Sequence, residues 1–428
     1  MAVTILKGTI VSASSLGTLD VTEGGYLVAE DGVIQGIYPV LPAQYAGAAV
    51  EDFEEKLILQ SFADLHLHAP QYPMLGTGMD RPLLEWLQAY AFPTEARFAD
   101  AAYARGIYKT LARELVENGT TRVCMFSSLH TDATLILMEE LEKAGITGYV
   151  GKVNMDRNAA PGVLEETTEE SQRETLRWLE ACGDFRLVKP MLTPRFTPSC
   201  TDELMAELGR IANEKGLYVQ SHLSESLGEI RWVQELHPEC RRYWETYDKY
   251  GLWKDHTLMA HCVHSDEVER KAIRDANVVV VHCGDSNVNI CSGVCPVRRM
   301  LDEGIWVTLG SDIAGRAQLP TYKVIATSIR TSKVRRITDD WHTEFLTVGE
   351  GYYLGTTSGH KYFGAGEGFA VGDKLHAIVV DDSDFPEASH SLSVEERLER
   401  IISMTNRHNI ASVWSAGREV VKRRSDER

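Results

Sequence analysis

From residue 57 to residue 312 the chain alternates between short apolar runs and longer stretches with helical spacing. Eight β-rich runs carry the pattern: LILQSFADLHLH from residue 57, TTRVCMFSSL from 120, GYVGKVNM from 148, RLVKPMLTPRF from 186, LYVQSHLSES from 217, HTLMAHC from 256, NVVVVHC from 277 and IWVTLGSD from 305. Between most of them lie segments such as DELMAELGRIANEKG, which puts Leu204, Leu208 and Ile211 on one face and stops at Gly216. Strands alternating with helices predict a parallel sheet with helical crossovers. Eight such units over about 310 residues predict an α/β fold, a (β/α)8 TIM-like barrel rather than an open sheet.

Both ends of the chain have another texture. Before residue 58, TILKGTIVSA and YLVAEDGVIQGIYPV alternate and are broken by Gly and Asp, the pattern of a small antiparallel sheet. After residue 371 the texture returns: Gly372-Asp373 leads into LHAIVV, and SVWSAGREVVK reads as a hairpin around Ala416-Gly417. The expected organisation is therefore residues 59–371 as the barrel, with residues 1–58 and 372–428 forming one small composite β-sandwich domain from the two termini.

Composition narrows the partners. At 428 residues the chain exceeds the ~250 to 300 at which one core stops growing, which fits a large domain plus a satellite. With 44 basic against 62 acidic residues the net charge is −18, a sign that repels a phosphate backbone, so no nucleic-acid partner is expected. The start, MAVTILKGTI, lacks the features of a secretory signal. No run nears the ~18 apolar residues of a membrane span. The eight cysteines (124, 182, 200, 240, 262, 283, 291 and 295) include no CxxC pair; reduced thiols in a cytoplasmic protein follow. Cys291 and Cys295 lack the second pair a metal knuckle needs.

Working residues of such a barrel sit where strands end, and here the ends are polar. His66 and His68 close the first run, Arg195 the fourth, His222 and Glu225 the fifth, His261 the sixth, His282 the seventh and Asp312 the eighth. Side chains two apart on a strand share a face, so His66 and His68 can reach one cation while Leu67 packs away. With 14 histidines in the chain, chance alone supplies about half an HxH, so the pair by itself is weak. Its company is not: an apolar strand has little reason to end in an imidazole or carboxylate unless something there binds it. Three nitrogens and one oxygen suit zinc or iron.

Other readings stay open for the rest. Glu225 is compatible with a helix-start carboxylate, Arg195 with a surface ion pair, His282 with a packed core imidazole or a partner to a ligand, and Trp86 and Leu87 with ordinary core. Lys189, six residues before Arg195, lies too deep in its strand to bridge two metals at the mouth. His342-Thr343-Glu344 matches half of an unrelated zinc-site pattern, HxE with PCxxC, but the chain has no PCxxC.

The motifs SFADLHLHAPQYP, DRPLLEWLQAYAFPTEARF, VKPMLTPRFTPSC, QSHLSES, LMAHC and LGSDIAG resemble the guanine deaminases of the mononuclear amidohydrolase superfamily, from about Gly8 to Val420. HxH with the late Asp is generic to the superfamily; HAPQY, PLLEWL with its later FP, and TPRF are particular to guanine deaminases. The resemblance implies hydrolytic deamination of free guanine to xanthine and ammonia in purine catabolism or salvage, by a homodimer holding one zinc, or iron, per subunit. It implies His66, His68, His222 and Asp312 as metal ligands, Glu225 as proton shuttle, and His261 as the group that steers the water, with Asp312 sharing the proton work. Gln71, Arg195 and Phe196 would hold the purine, walled by Trp86 and Leu87. Arg195 presents only donors, matching the O6 of guanine and opposing the amino group of adenine; Gln71 can donate and accept. Two stretches depart from the pattern, Gly284-Asp285 after His282-Cys283 and IAGRAQLP after Asp312. They leave room for 8-oxoguanine, a pterin or another amino-heterocycle. An assembly protein that has lost catalysis is a further reading, but such relatives lose ligands, and all four remain here.

Overall fold

A computed structural model describes residues 2–339 and 341–423. The eight predicted runs lie in two four-stranded sheets, each parallel throughout. One orders Phe62–His68, Thr120–Phe126, Thr147–Gly151 and Val188–Pro190; the other orders Gln220–Leu223, Leu258–His261, Val279–His282 and Val307–Leu309. Hydrogen bonds outside these ladders join the sheets on both sides. Leu192 N donates to Tyr218 O and Gln220 N to Leu192 O, both at 2.9 Å, while Asp312 N donates to His66 O at 2.8 Å and His68 N to Ile313 O at 3.0 Å. The result is the expected (β/α)8 barrel. Its strands are as apolar as a sheet covered on both faces requires; Val279, Val280 and Val281 are all buried.

The helices close this ring from outside. In Asp202–Lys215 the Thr201 side chain accepts from Leu204 N at the start, and Gly216 ends the helix with φ 64°, a left-handed conformation that costs glycine little. Leu204, Leu208 and Ile211 are buried as the spacing predicts, each stabilising the packing by about 1.5 to 3 kcal/mol. Among the described residues no helix is long and apolar enough to cross a membrane, and all eight cysteines are free.

The first run divides between two sheets. Glu51–Gln60 belongs to the terminal sheet and Phe62–His68 to the barrel, with Ser61 between them. The terminal sheet has seven strands in the order Arg418–Lys422, Ile410–Ser415, Ala377–Val380, Glu51–Gln60, Val3–Ser15, Thr18–Glu30 and Val33–Tyr38. Both ends of the chain thus build one hydrogen-bonded sheet, in which the strand before the barrel pairs with the first strand on one side and a late strand on the other. The predicted hairpin forms around Ala416 and Gly417, both at positive φ. Its turn presses on the Asp31-Gly32 turn so closely that a Cβ on Gly32 would stand 2.7 Å from Gly417 Cα. Only glycine fits both places.

Candidate active site

Three imidazoles and one carboxylate meet at the C-terminal mouth. His68 Nε2 is 3.2 Å from His222 Nε2. Asp312 Oδ1 is 3.2 Å from His66 Nε2 and 3.5 Å from His68 Nε2. All four residues are buried. Ligand atoms about 2.0 to 2.1 Å from a tetrahedral zinc lie about 3.4 Å from one another, so these separations fit a cation at the centre. The ring nitrogens fit as well: His66 Nε2 faces Asp312 Oδ1 without an aligned hydrogen bond, whereas His222 Nδ1 bonds to Arg195 O at 2.6 Å, which turns the Nε2 lone pair inward. Burial drives His68 and His222 well below the ordinary histidine range, with the His66 charge adding to it. A lowered pKa favours the neutral form of each ring, the form that binds a metal. Burial alone would raise Asp312, but contact with His66 and the charges of His261, His66 and His68 hold it well below the usual range.

His261 and Glu225 stand beside this group. His261 Nδ1 bonds to Asn287 Oδ1 at 2.8 Å. Its Nε2 faces Glu225 Oε2 at 3.6 Å and Asp312 Oδ2 at 4.0 Å. Ser292 Oγ donates to Glu225 Oε1 at 2.9 Å. Burial, and then the Asp312 charge, push the Glu225 carboxyl up to about 8. His261 and Asp312 are held at positive φ, 75° and 48°, and such backbone costs a non-glycine residue of order 1 to 3 kcal/mol. The fold bears that strain where the two side chains must turn inward.

A pocket opens from these groups, lined by His68, His222, Glu225, His261 and Asp312 at one end and by Gln71, Arg195 and Phe196 with Trp86 and Leu87 around it. The structure therefore gathers every residue proposed from sequence; His66 does not line the pocket but touches Asp312 at its edge. Trp86 and Leu87 line the pocket and also belong to the main core, so the two readings of them hold together. Arg195 is paired, not with a surface acid but with buried Glu95, by bonds of 2.6 and 2.9 Å. His282 is buried beside the site with neither ring nitrogen hydrogen-bonded in the structure, and burial and the His261 charge push it down to about 4. Lys189 and His342 are exposed and do not line this pocket.

Several residues of the site escaped the sequence reading. Glu95 sat inside the FPTEARF motif without a signal of its own. Asn287 and Ser292 follow the seventh strand in a polar stretch that names no partner. Glu229, Leu83 and Ile290 also line the pocket; Glu229 caps its helix by accepting from Ser226 N. Asp64, two residues before His66, is wholly buried, accepts from Ser311 N at 2.9 Å, and is pushed by burial up to about 6. The two departing stretches prove to be one feature: buried Arg316 reaches Asp285, Nε to Oδ2, at 3.2 Å.

The chain is similar to known proteins over most of its length. The Amidohydrolase family profile matches residues 57–420. A guanine deaminase of Dictyostelium discoideum is 34% identical over 97% of this chain and 98% of its own length, and one of Mus musculus is 36% identical over 86% of this chain and 83% of its own. The crystal structure of guanine deaminase from C. acetobutylicum with bound guanine in the active site superposes with a TM-score of 0.95 at 41% identity, covering 98% of this chain and all of that one. A barrel alone names no reaction, but near-complete coverage at this identity does more: the chain belongs to the amidohydrolase family, within its guanine deaminase group.

Proposed function

We propose that the protein hydrolyses the 2-amino group of free guanine, giving xanthine and ammonia, with His66, His68, His222 and Asp312 holding one zinc or iron ion. The observation that carries this reading is the joining of a metal-ligand cluster and Glu225 to a pocket that Arg195 and Gln71 also line. Bound there, a divalent metal lowers the pKa of water from 15.7 toward ~7 and so supplies hydroxide at neutral pH.

The side chains do the rest. Glu225, raised to about 8, can take a proton from the attacking water and deliver it to the ring nitrogen next to C2, a role worth about 10² to 10⁴ in rate. His261 Nε2 and Asp312 orient that water. Arg195 donates to O6 and leaves adenine, with an amino group there, facing donor to donor. Phe196, Trp86 and Leu87 exclude solvent from the flat ring. The same proposal includes a homodimer working in cytoplasmic purine catabolism, tested by sedimentation and by localisation of the protein.

The test is purified, metal-loaded protein incubated with guanine. Xanthine and ammonia should form in equal amounts, cease after chelation and return with added zinc. A loaded protein that leaves guanine intact overturns the proposal.

A further inference from the structure

Glu95 lies on the short helix Phe92–Ala96 and is buried, yet does not border the pocket. It accepts from both terminal nitrogens of Arg195, Nη1 to Oε2 at 2.6 Å and Nη2 to Oε1 at 2.9 Å, and from Gln71 Nε2 at 2.8 Å. The other end of the Gln71 amide is fixed too, since its Oε1 accepts from Ala314 N at 2.8 Å. The Phe92 ring lies 5.2 Å from the Arg195 guanidinium carbon. Two other chain segments therefore meet on one carboxylate.

We propose that Glu95 is a positioning residue that makes this side of the pocket donor-only, selecting purines that carry an oxygen there. This rests on the guanine reading above. A carboxylate offers acceptors alone, so it draws donors of both side chains to itself and sets their planes. Gln71 cannot turn its amide over, because Ala314 N would then meet an N–H and Glu95 an oxygen. The remaining Gln71 N–H and the free guanidinium N–H groups are what a ligand meets. An oxo group accepts from them; an amino group leaves buried donors unpaired, and that mismatch is the source of discrimination. Glu95 also balances the charge of Arg195 near the metal ligands, where an unpaired buried cation is costly.

The experiment uses full-length, metal-loaded Glu95→Gln, which keeps the shape but puts a donor against donors. Guanine KM should rise about tenfold or more, equivalent to 1.4 kcal/mol or more, with a smaller change in kcat. Preference for guanine over the analogue bearing an amino group in place of O6 should narrow by a similar factor. In an Arg195→Met background Glu95→Gln should add little. Unchanged KM and preference, or effects that add fully to those of Arg195→Met, overturn the proposal. Should Glu95→Gln lower Tm so far that it cannot be assayed, Glu95→Asp, which keeps the charge but falls short of both partners, is read the same way. A binding arm separates this from the reaction itself: wild-type protein should bind hypoxanthine, which keeps the oxygen but lacks the 2-amino group, more tightly than unsubstituted purine, and Glu95→Gln should lose that preference. Wild type that favours hypoxanthine yet leaves guanine intact refutes the proposed function alone; wild type without that preference refutes the role of Glu95.

Discussion

The barrel buries imidazoles at both ends, and the two groups differ in what their nitrogens meet. On the floor, against the terminal sheet, His376 Nδ1 bonds to Thr121 Oγ1 at 2.8 Å and its Nε2 accepts from Ala416 N at 3.1 Å. At the mouth, Nε2 atoms of His68 and His222 face each other at 3.2 Å beside Asp312. The floor ring is satisfied by the chain, as buried polar groups usually are. The mouth rings are not, and ring nitrogens facing one another beside a carboxylate are what a cation would resolve. Burial alone does not mark a functional histidine; an unspent nitrogen aimed at other ligands does.

The comparison can be broken first at the mouth. Glu225→Gln should keep its metal, measured by elemental analysis, and lose about 10² to 10⁴ in turnover; near-normal ammonia release would show that the proton moves elsewhere. Next in size, Arg195→Met should raise guanine KM and cut the preference over adenine, which a fixed donor site can hold as high as ~10⁴. An unchanged ratio in a substrate panel would move specificity to another residue.

The floor should respond in stability instead. His376→Leu leaves Ala416 N–H without its partner and the Thr121 hydroxyl with Ser61 Oγ alone, a loss of about 1 to 3 kcal/mol, with kcat for guanine unaltered. A urea titration beside an activity assay reads both, and a fall in kcat would mean that the floor shapes the mouth. A further effect concerns acid. Burial, and then the charge of Arg122, hold His360 and His376 well below the ordinary value of 6.5. Below that value the unfolded chain binds more protons than the folded one, so stability is full above pH 6.5 and falls as pH drops toward the folded values, by about 1.4 kcal/mol per histidine for every pH unit crossed on the way down. His376→Leu should flatten the slope of the urea midpoint between neutral and mildly acid pH; an unchanged slope would assign it to the mouth.

Much of this was legible in sequence for a physical reason. A strand that runs apolar and then ends in His or Asp declares its end, so His66, His68, His222, His261 and Asp312 could be placed on one rim from pattern alone. Glu95 could not, because an acid on a short helix looks the same whether it faces water or a guanidinium. Nor did periodicity show that LILQSFADLHLH is shared between two sheets. Ser61 is small and the residues on both sides are buried, so the change of partners leaves no trace in hydropathy. Asp285 and Arg316 each read as a local oddity, and their pairing depends on a contact that only the fold brings about.

The place of Glu51–Gln60 in the terminal sheet has a consequence for biosynthesis. One of its neighbours, Val3–Ser15, leaves the ribosome early, but the other, Ala377–Val380, comes more than three hundred residues later. Until then its backbone amides and carbonyls on that side stay open, next to Leu57, Ile58 and Leu59, which the finished protein buries. An unpaired apolar edge held open through most of translation invites other chains to pair with it. Nascent-chain aggregation and chaperone demand should therefore last until the final eighth of the polypeptide begins to emerge.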